Sequence, residues 1–192
     1  MCKKKEKKER IIESAIKMFN YYGVTKTSIQ DIAKDSGIAV GTVYLYFKSK
    51  DEILFACTEK FVDFHRYFIK EILEENILPQ DKIKKYILGR FIINEELRTK
   101  TPHSYDIALA VLKLRPERLK EESEIMFSAM YSFLKEGCDK KIFKIESIEE
   151  DCEVFLYSIA YFFPVASKDN LSFASKEKLS MLIEWFIKKW LN

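Results

Sequence analysis

From Lys8 to Tyr22 the apolar residues Ile11, Ile12, Ala15, Ile16, Phe19 and Tyr22 recur at intervals of three and four, and the same spacing returns in most later segments. Only an α-helix brings such positions onto one face. With 5 glycines and 4 prolines in 192 residues, there is little to break helices or to build tight β-turns. The 47% apolar content is enough to fill a core. The expected fold class is therefore all-α.

Punctuation divides the pattern. The first helix ends at Gly23, and Thr27 with Gln30 three residues on reads as a capping box opening a short helix through Ile29, Ile32 and Ala33, which Gly37 stops. A third short helix spans about Val40 to Tyr46. Ser49 with Glu52 opens a long helix with the stripe Ile53, Leu54, Cys57, Phe61, Phe64, Phe68 and Ile72, ending near Glu75. Helix starts follow at Pro79, at Thr101-Pro102 and at Pro116, the last running to a stop at Gly137. Ser147 with Glu150 caps another, and the last runs from about Ser175 to Leu191. The count is about nine helices, with the stretch from Ile142 to Ile145 read as a linker.

Charge is unevenly placed. Residues 1–50 carry 11 Lys or Arg against 5 Asp or Glu, whereas the remainder carries 22 against 25. A basic first quarter suits a polyanionic partner, and a solubilising Lys-rich tail is the plainer alternative. Cys2, Cys57, Cys138 and Cys152 form no C-x-x-C pair and two histidines cannot complete a cluster, so no metal site and no cofactor are expected. No secretory segment follows the basic start, and the apolar run Val154 to Ala166 is too short to span a bilayer, so a cytoplasmic location without membrane contact is expected.

Two short helices joined by a tight turn and packed by a preceding amphipathic helix are the parts of a DNA-binding helix-turn-helix. In Asp31 to Val43, Ala33 is small where helices cross, Gly37 suits a left-handed turn, and Ile38 and Val43 can plug the core. Val40, Gly41 and Thr42 open the second helix of the motif, the position that reaches base edges in the major groove. Val40 and Thr42 are the expected base readers, and Gly41 permits close backbone approach. Tyr44 and Tyr46 are assigned to phosphates because Val43 and Phe47 suffice for the core. Thr27, Ser28, Lys48 and Lys50 lie at helix starts, where free amides already attract anions, and are the other phosphate candidates.

The run T-S-I-Q-D-I-A-K-D-S-G-I-A-V-G-T-V-Y-L-Y-F-K-S-K-D-E-I-L resembles the N-terminal signature of the tetracycline-repressor (TetR) family, with the match covering about residues 8 to 55. One departure is Tyr46, where many members carry histidine; its hydroxyl still offers a phosphate contact. Lys50 matches the family's backbone contact best. The resemblance implies a three-helix DNA-binding domain, assigned to residues 1–50, and a helical effector-binding and dimerisation domain, residues 51–192, with the last two helices making the dimer. It further implies a regulator, expected to be a repressor, bound to palindromic operator DNA as a homodimer and released by an effector.

Breadth of the apolar surface fits that plan. The segment from Val154 to Phe163 is apolar all round, and the last helix is nearly as broad, so Phe155, Ile159, Phe162, Leu179, Leu182, Ile183, Phe186 and Trp190 are assigned to a four-helix interface; a fully internal helix pair in a monomer is the alternative. The middle helices carry Phe61, Phe64, His65, Phe68, Tyr86, Phe91, Asn94, Tyr105, Met126 and Met130, taken as the walls and polar handles of a site for a small hydrophobic effector, although such stripes also serve as plain core. No Gly-rich phosphate loop, G-x-S-x-G or metal spacing speaks for an enzyme. A helical enzyme and an effector-independent DNA-binding adaptor remain the rival readings.

Overall fold

A computed structural model describes residues 2–100, 103–163 and 175–191, without the side chains of Cys2, Lys3, Leu97, Lys100, Ser104 and Tyr105. Among these residues there are nine α-helices, a one-turn 3-10 helix at Ala160–Phe162 and no strand. They form two compact units, residues 1–64 with 97–118 and residues 65–96 with 119–192. No helix among the described residues is long and apolar enough to cross a membrane.

The first unit holds α1 (Cys2–Tyr22), α2 (Ile29–Ser36), α3 (Val40–Tyr46), the first part of α4 (Lys50–Glu74) and α6 (Ser104–Leu114). Its core joins Ile11, Ala15 and Phe19 of α1 to Ile32 and Ala33 of α2, Val43 of α3, Ile53, Leu54 and Cys57 of α4, and Ile107 and Val111 of α6. Cys57 is fully buried, and burial pushes its thiol up to about 12, so it is inert packing.

Helix starts correct the sequence reading by one residue. Ser28, not Thr27, caps α2: its Oγ accepts from Asp31 N at 3.1 Å and the Asp31 carboxylate accepts from Ser28 N at 3.0 Å. Thr27 is buried and donates instead to the Gly23 carbonyl at 2.8 Å, which closes the turn leading into α2. The proposed start at Thr101-Pro102 lies outside the described residues.

The second unit holds the rest of α4, α5 (Pro79–Lys100), α7 (Arg118–Asp139), α8 (Ile148–Ile159) and α9 (Lys176–Leu191). Gly137 does not end α7, as its sequence position suggests. It is buried two residues before the end, and the Phe143 ring lies where its Cβ would be; the left-handed turn falls on Lys141, φ 56°. The linker from Ile142 to Ile145 is confirmed as irregular chain and is tied down by Lys144 N donating to Trp190 O at 2.7 Å.

The residues assigned from sequence to a subunit interface lie largely in this unit's own core: Phe155, Ile159, Leu179, Ile183, Phe186 and Trp190 are buried, with Phe162 and Leu182 half-buried against them. When an all-round apolar helix folds onto its own chain, the stripe at three-and-four spacing goes inward and the remainder turns out. On α8, the following turn and α9 that remainder is Val154, Tyr157, Tyr161, Met181 and Trp185, between 48% and 79% exposed.

Candidate functional site

The turn between α2 and α3 is held from both sides. Gly37 adopts φ 64°, its N–H and that of Ile38 close the end of α2 by donating to Lys34 O and Ala33 O at 3.2 and 3.0 Å, and Arg10 of α1 donates to Ser36 O at 2.6 Å. Asp35 accepts from Lys17 at 2.6 Å and from Ser14 Oγ at 2.7 Å, and those two bonds hold its carboxyl below the ordinary carboxylate range. Three α1 side chains thus fix the pitch of α2, and α2 fixes α3 through Ile38 and Val43.

With Val43 and Phe47 buried, α3 has one outward face: Gly41, Tyr44 and Leu45, continued by Lys48. Gly41 has open space around it, and a Cβ there would meet no atom within 4 Å. Its glycine is therefore not required by the folded chain. Val40, Thr42 and Tyr46 are half-buried, and Val40 and Tyr46 pack on the core. Sequence reasoning missed Leu45, which is 77% exposed. Fixing Val43 and Phe47 inward is enough to place it, because 41, 44, 45 and 48 then share a face.

The phosphate candidates divide. Ser28 is committed to capping α2 and Thr27 points inward. Lys50 is half-buried and donates to the carbonyls of Val24 and Thr27 at 2.7 and 3.1 Å. Lys48 is exposed, and the Lys8 ammonium lies 5.6 Å from the centroid of the Phe47 ring. Lys48 therefore continues the outward face of α3.

The effector candidates scatter between the units. Phe61 and Phe64 belong to the first and are exposed, as is Asn94 in the second. Tyr105 belongs to the first unit, with its side chain outside the description. His65, Phe68, Tyr86, Phe91, Met126 and Met130 all belong to the second. Tyr86, Phe91 and Met130 are core, with burial raising the Tyr86 phenol to about 12. A polar cluster absent from the sequence reading lies beside them: His65 Nε2 is 2.8 Å from Tyr86 Oη, and Arg90 and His65 reach Glu122 Oε1 at 2.9 and 3.1 Å. Burial alone would raise the Glu122 carboxyl, but the hydrogen bond from His65 and the charge of Arg90 outweigh it and hold it at about 2. Nothing in the sequence marks Arg90 and Glu122 as partners, since they are 32 residues apart on different helices.

Arg90 and Glu122 also line a cavity of about 560 Å³ with Leu119, Met126 and Phe127 of α7, Leu156 and Tyr157 of α8, and Phe163. Met126 is the one expected effector residue among its walls. No group of three or more His, Cys, Asp or Glu side chains able to hold a metal occurs among the described residues.

Residues 11–57 match the bacterial regulatory proteins of the tetR family. The chain is 31% identical over 143 residues to the HTH-type transcriptional regulator YvdT of Bacillus subtilis, covering 74% of this chain and 71% of that one. It is 39% identical over 89 residues to the HTH-type transcriptional regulator YerO of the same organism, where the match covers 45% of this chain and spans only 30% of that longer protein. A crystal structure of a transcriptional regulator from Cytophaga hutchinsonii superposes with a TM-score of 0.79 at 20% identity, covering 96% of this chain and 98% of that one.

Proposed function

Because this chain belongs to the TetR family of bacterial regulatory proteins, we propose that it is a ligand-responsive, one-component regulator, acting as a repressor that binds palindromic operator DNA as a homodimer. The observation that carries the reading is the outward face of α3, where an open Gly41, the half-exposed Thr42, Tyr44, Leu45 and Lys48 stand in the basic quarter of the chain on a helix whose other side is locked into the core. Residues 1–50 form the DNA-binding domain in this reading. Val40 and Thr42 read base edges, Tyr44, Tyr46 and Lys48 meet phosphates, and Lys50 holds the loop before α2.

Dimerisation uses the outward faces of α8 and α9, where Tyr157, Met181 and Trp185 are each more than half exposed. Effectors enter the second unit. Its cavity offers Leu119, Met126, Phe127, Leu156 and Phe163 as an apolar wall, which supports a hydrophobic small molecule. The link to DNA is α4, which contributes Lys50 to the first unit and His65 to the second. A small shift of α4 changes the spacing of the two α3 helices in a dimer, and fixed half-sites then bind one copy instead of two.

Selection of genomic fragments on the purified protein, followed by footprinting, tests the reading. A two-fold symmetric footprint with half-sites about one helical turn apart or slightly more is expected. A single asymmetric half-site, or no selected sequence at all, overturns it.

A further inference from the structure

No side chain of α3 can make a paired hydrogen bond to a base edge. Its seven residues, Val40–Tyr46, include no Arg or Lys for guanine, no Asn or Gln for adenine and no Asp or Glu for cytosine. Lys48, two residues beyond, folds back with Nζ 3.5 Å from the Tyr44 carbonyl oxygen. What the outward face offers instead is apolar. Leu45 is 77% exposed, the most exposed large apolar side chain of the first unit among the described residues. Gly41 lies one turn before it on the same face, and a Cβ there would meet nothing within 4 Å. A helical side chain leans over the turn that precedes its own Cα, so Leu45 overhangs the open backbone of Gly41. Together they make an apolar notch whose floor is main chain.

The C5 methyl of thymine is the apolar group that base pairs present in the major groove. Reading it takes an apolar wall and a close approach of backbone, which Leu45 and Gly41 supply. We propose that the chain selects its operator through thymine methyl groups, with a thymine of each half-site seated in the Gly41–Leu45 notch and the methyl of Thr42 meeting a neighbouring base. This rests on the reading of α3 as the DNA-binding helix and names the base chemistry that the helix selects. Half-sites rich in A·T pairs follow from it. Orientation is read as well, since T·A and A·T place the methyl on opposite strands.

The test uses the full chain. Selection from a random duplex library supplies the operator, and each thymine common to the selected sequences is then replaced by uracil, which removes the C5 methyl and leaves the pairing intact. At the position facing the notch, one uracil is expected to weaken binding about fourfold, as loss of one buried methyl group does. At the same position 5-methylcytosine paired with guanine should bind tighter than cytosine paired with guanine, because the methyl returns. Leu45→Ala, at an exposed position, should keep its thermal midpoint and bind the thymine and uracil operators alike. Gly41→Ala should fold as well as the parent and bind the thymine operator more weakly. A uracil effect that survives Leu45→Ala undiminished, or a Gly41→Ala protein that binds like the parent, overturns the notch. A symmetric operator without methyl dependence sinks the methyl assignment and leaves the regulator standing. If no operator emerges, an alternating A·T duplex is compared with its uracil counterpart. A preference for thymine that Leu45→Ala erases then upholds the methyl assignment while the operator reading falls, and equal binding ends both.

Discussion

The ammonium of Lys50 donates to the carbonyl oxygen of Val24 at 2.7 Å, and with its second bond to Thr27 O it pins the loop between α1 and α2 to the start of α4. A charged donor shared by two otherwise open carbonyls contributes more to stability than an exposed lysine does. Lys50→Ala is therefore expected to destabilise the protein by about 1 to 3 kcal/mol and to weaken DNA binding through a displaced α2. Urea unfolding combined with binding at several salt concentrations separates this from direct phosphate contact. A salt slope reduced by about one unit with unchanged stability returns Lys50 to the phosphates.

Leu45 is 77% exposed on α3 and touches nothing in the core that it would be missed by. Leu45→Ala is expected to leave the thermal midpoint unchanged and to lower operator affinity by about 1 kcal/mol, as loss of an apolar base or sugar contact does. Tyr44→Phe, removing only a hydroxyl, should weaken all sequences alike. Thr42→Ala should cost roughly 1 to 3 kcal/mol and relax one base position. Equal weakening of every sequence by Thr42→Ala would remove it from base reading.

These assignments show where periodicity suffices. The helix-turn-helix core was legible because the apolar residues Ile32, Ala33, Ile38, Val43 and Phe47 fall on both sides of the Gly37 turn within 16 residues, and all five are buried. Capping was legible to within a residue, as Thr27 and Ser28 have the same chemistry and only burial separates them. On α8 and α9 the residues expected at a subunit interface, Phe155, Ile159, Leu179 and Ile183 among them, pack in the core of their own unit, because the run from Val154 to Phe163 is apolar on every face and spacing there carries no direction. The Arg90–Glu122 bridge was invisible for another reason: polar residues on a helix read as solvated unless a second helix is known to lie against them.

Trp185 is 61% exposed beside the buried Phe186. Trp185→Glu is expected to yield a folded monomer in sedimentation equilibrium, because a like charge placed on both copies of a two-fold interface repels. Phe186→Glu buries an unpaired carboxylate in the core and should abolish folding instead. A Trp185→Glu protein that still sediments as a dimer would move the interface away from α9.

Gly137 has no room for a side chain, since the Phe143 ring occupies the Cβ position. Gly137→Ala gains helix propensity but must push the ring aside, and overpacking of this kind costs about 1 to 3 kcal/mol. The double variant with Phe143→Leu should recover part of the loss in a denaturation cycle. Additive effects of the two substitutions would mean that the ring is not what excludes the methyl group.

Acid should act on the second unit through Glu122. Its carboxyl stands at about 2 against an ordinary 4.5, so the folded state binds the proton less readily than the unfolded chain does. The sign follows: the contribution is fully present above pH 4.5 and is lost as pH falls from there toward 2. Taken alone the shift corresponds to a few kcal/mol, but the side chain is 37% exposed and solvent screens its partners, which leaves about 1 to 2 kcal/mol. Glu122→Gln, which keeps the shape and removes the charge, should lower stability at pH 7 and flatten its fall in that window relative to the parent protein. Asp35, held low by Lys17 and Ser14, contributes in the same direction in the first unit, so the parent curve is read against Glu122→Gln and Asp35→Asn separately. A Glu122→Gln curve parallel to the parent between pH 4.5 and 2 would mean that the carboxylate gains as much from solvent as from His65 and Arg90.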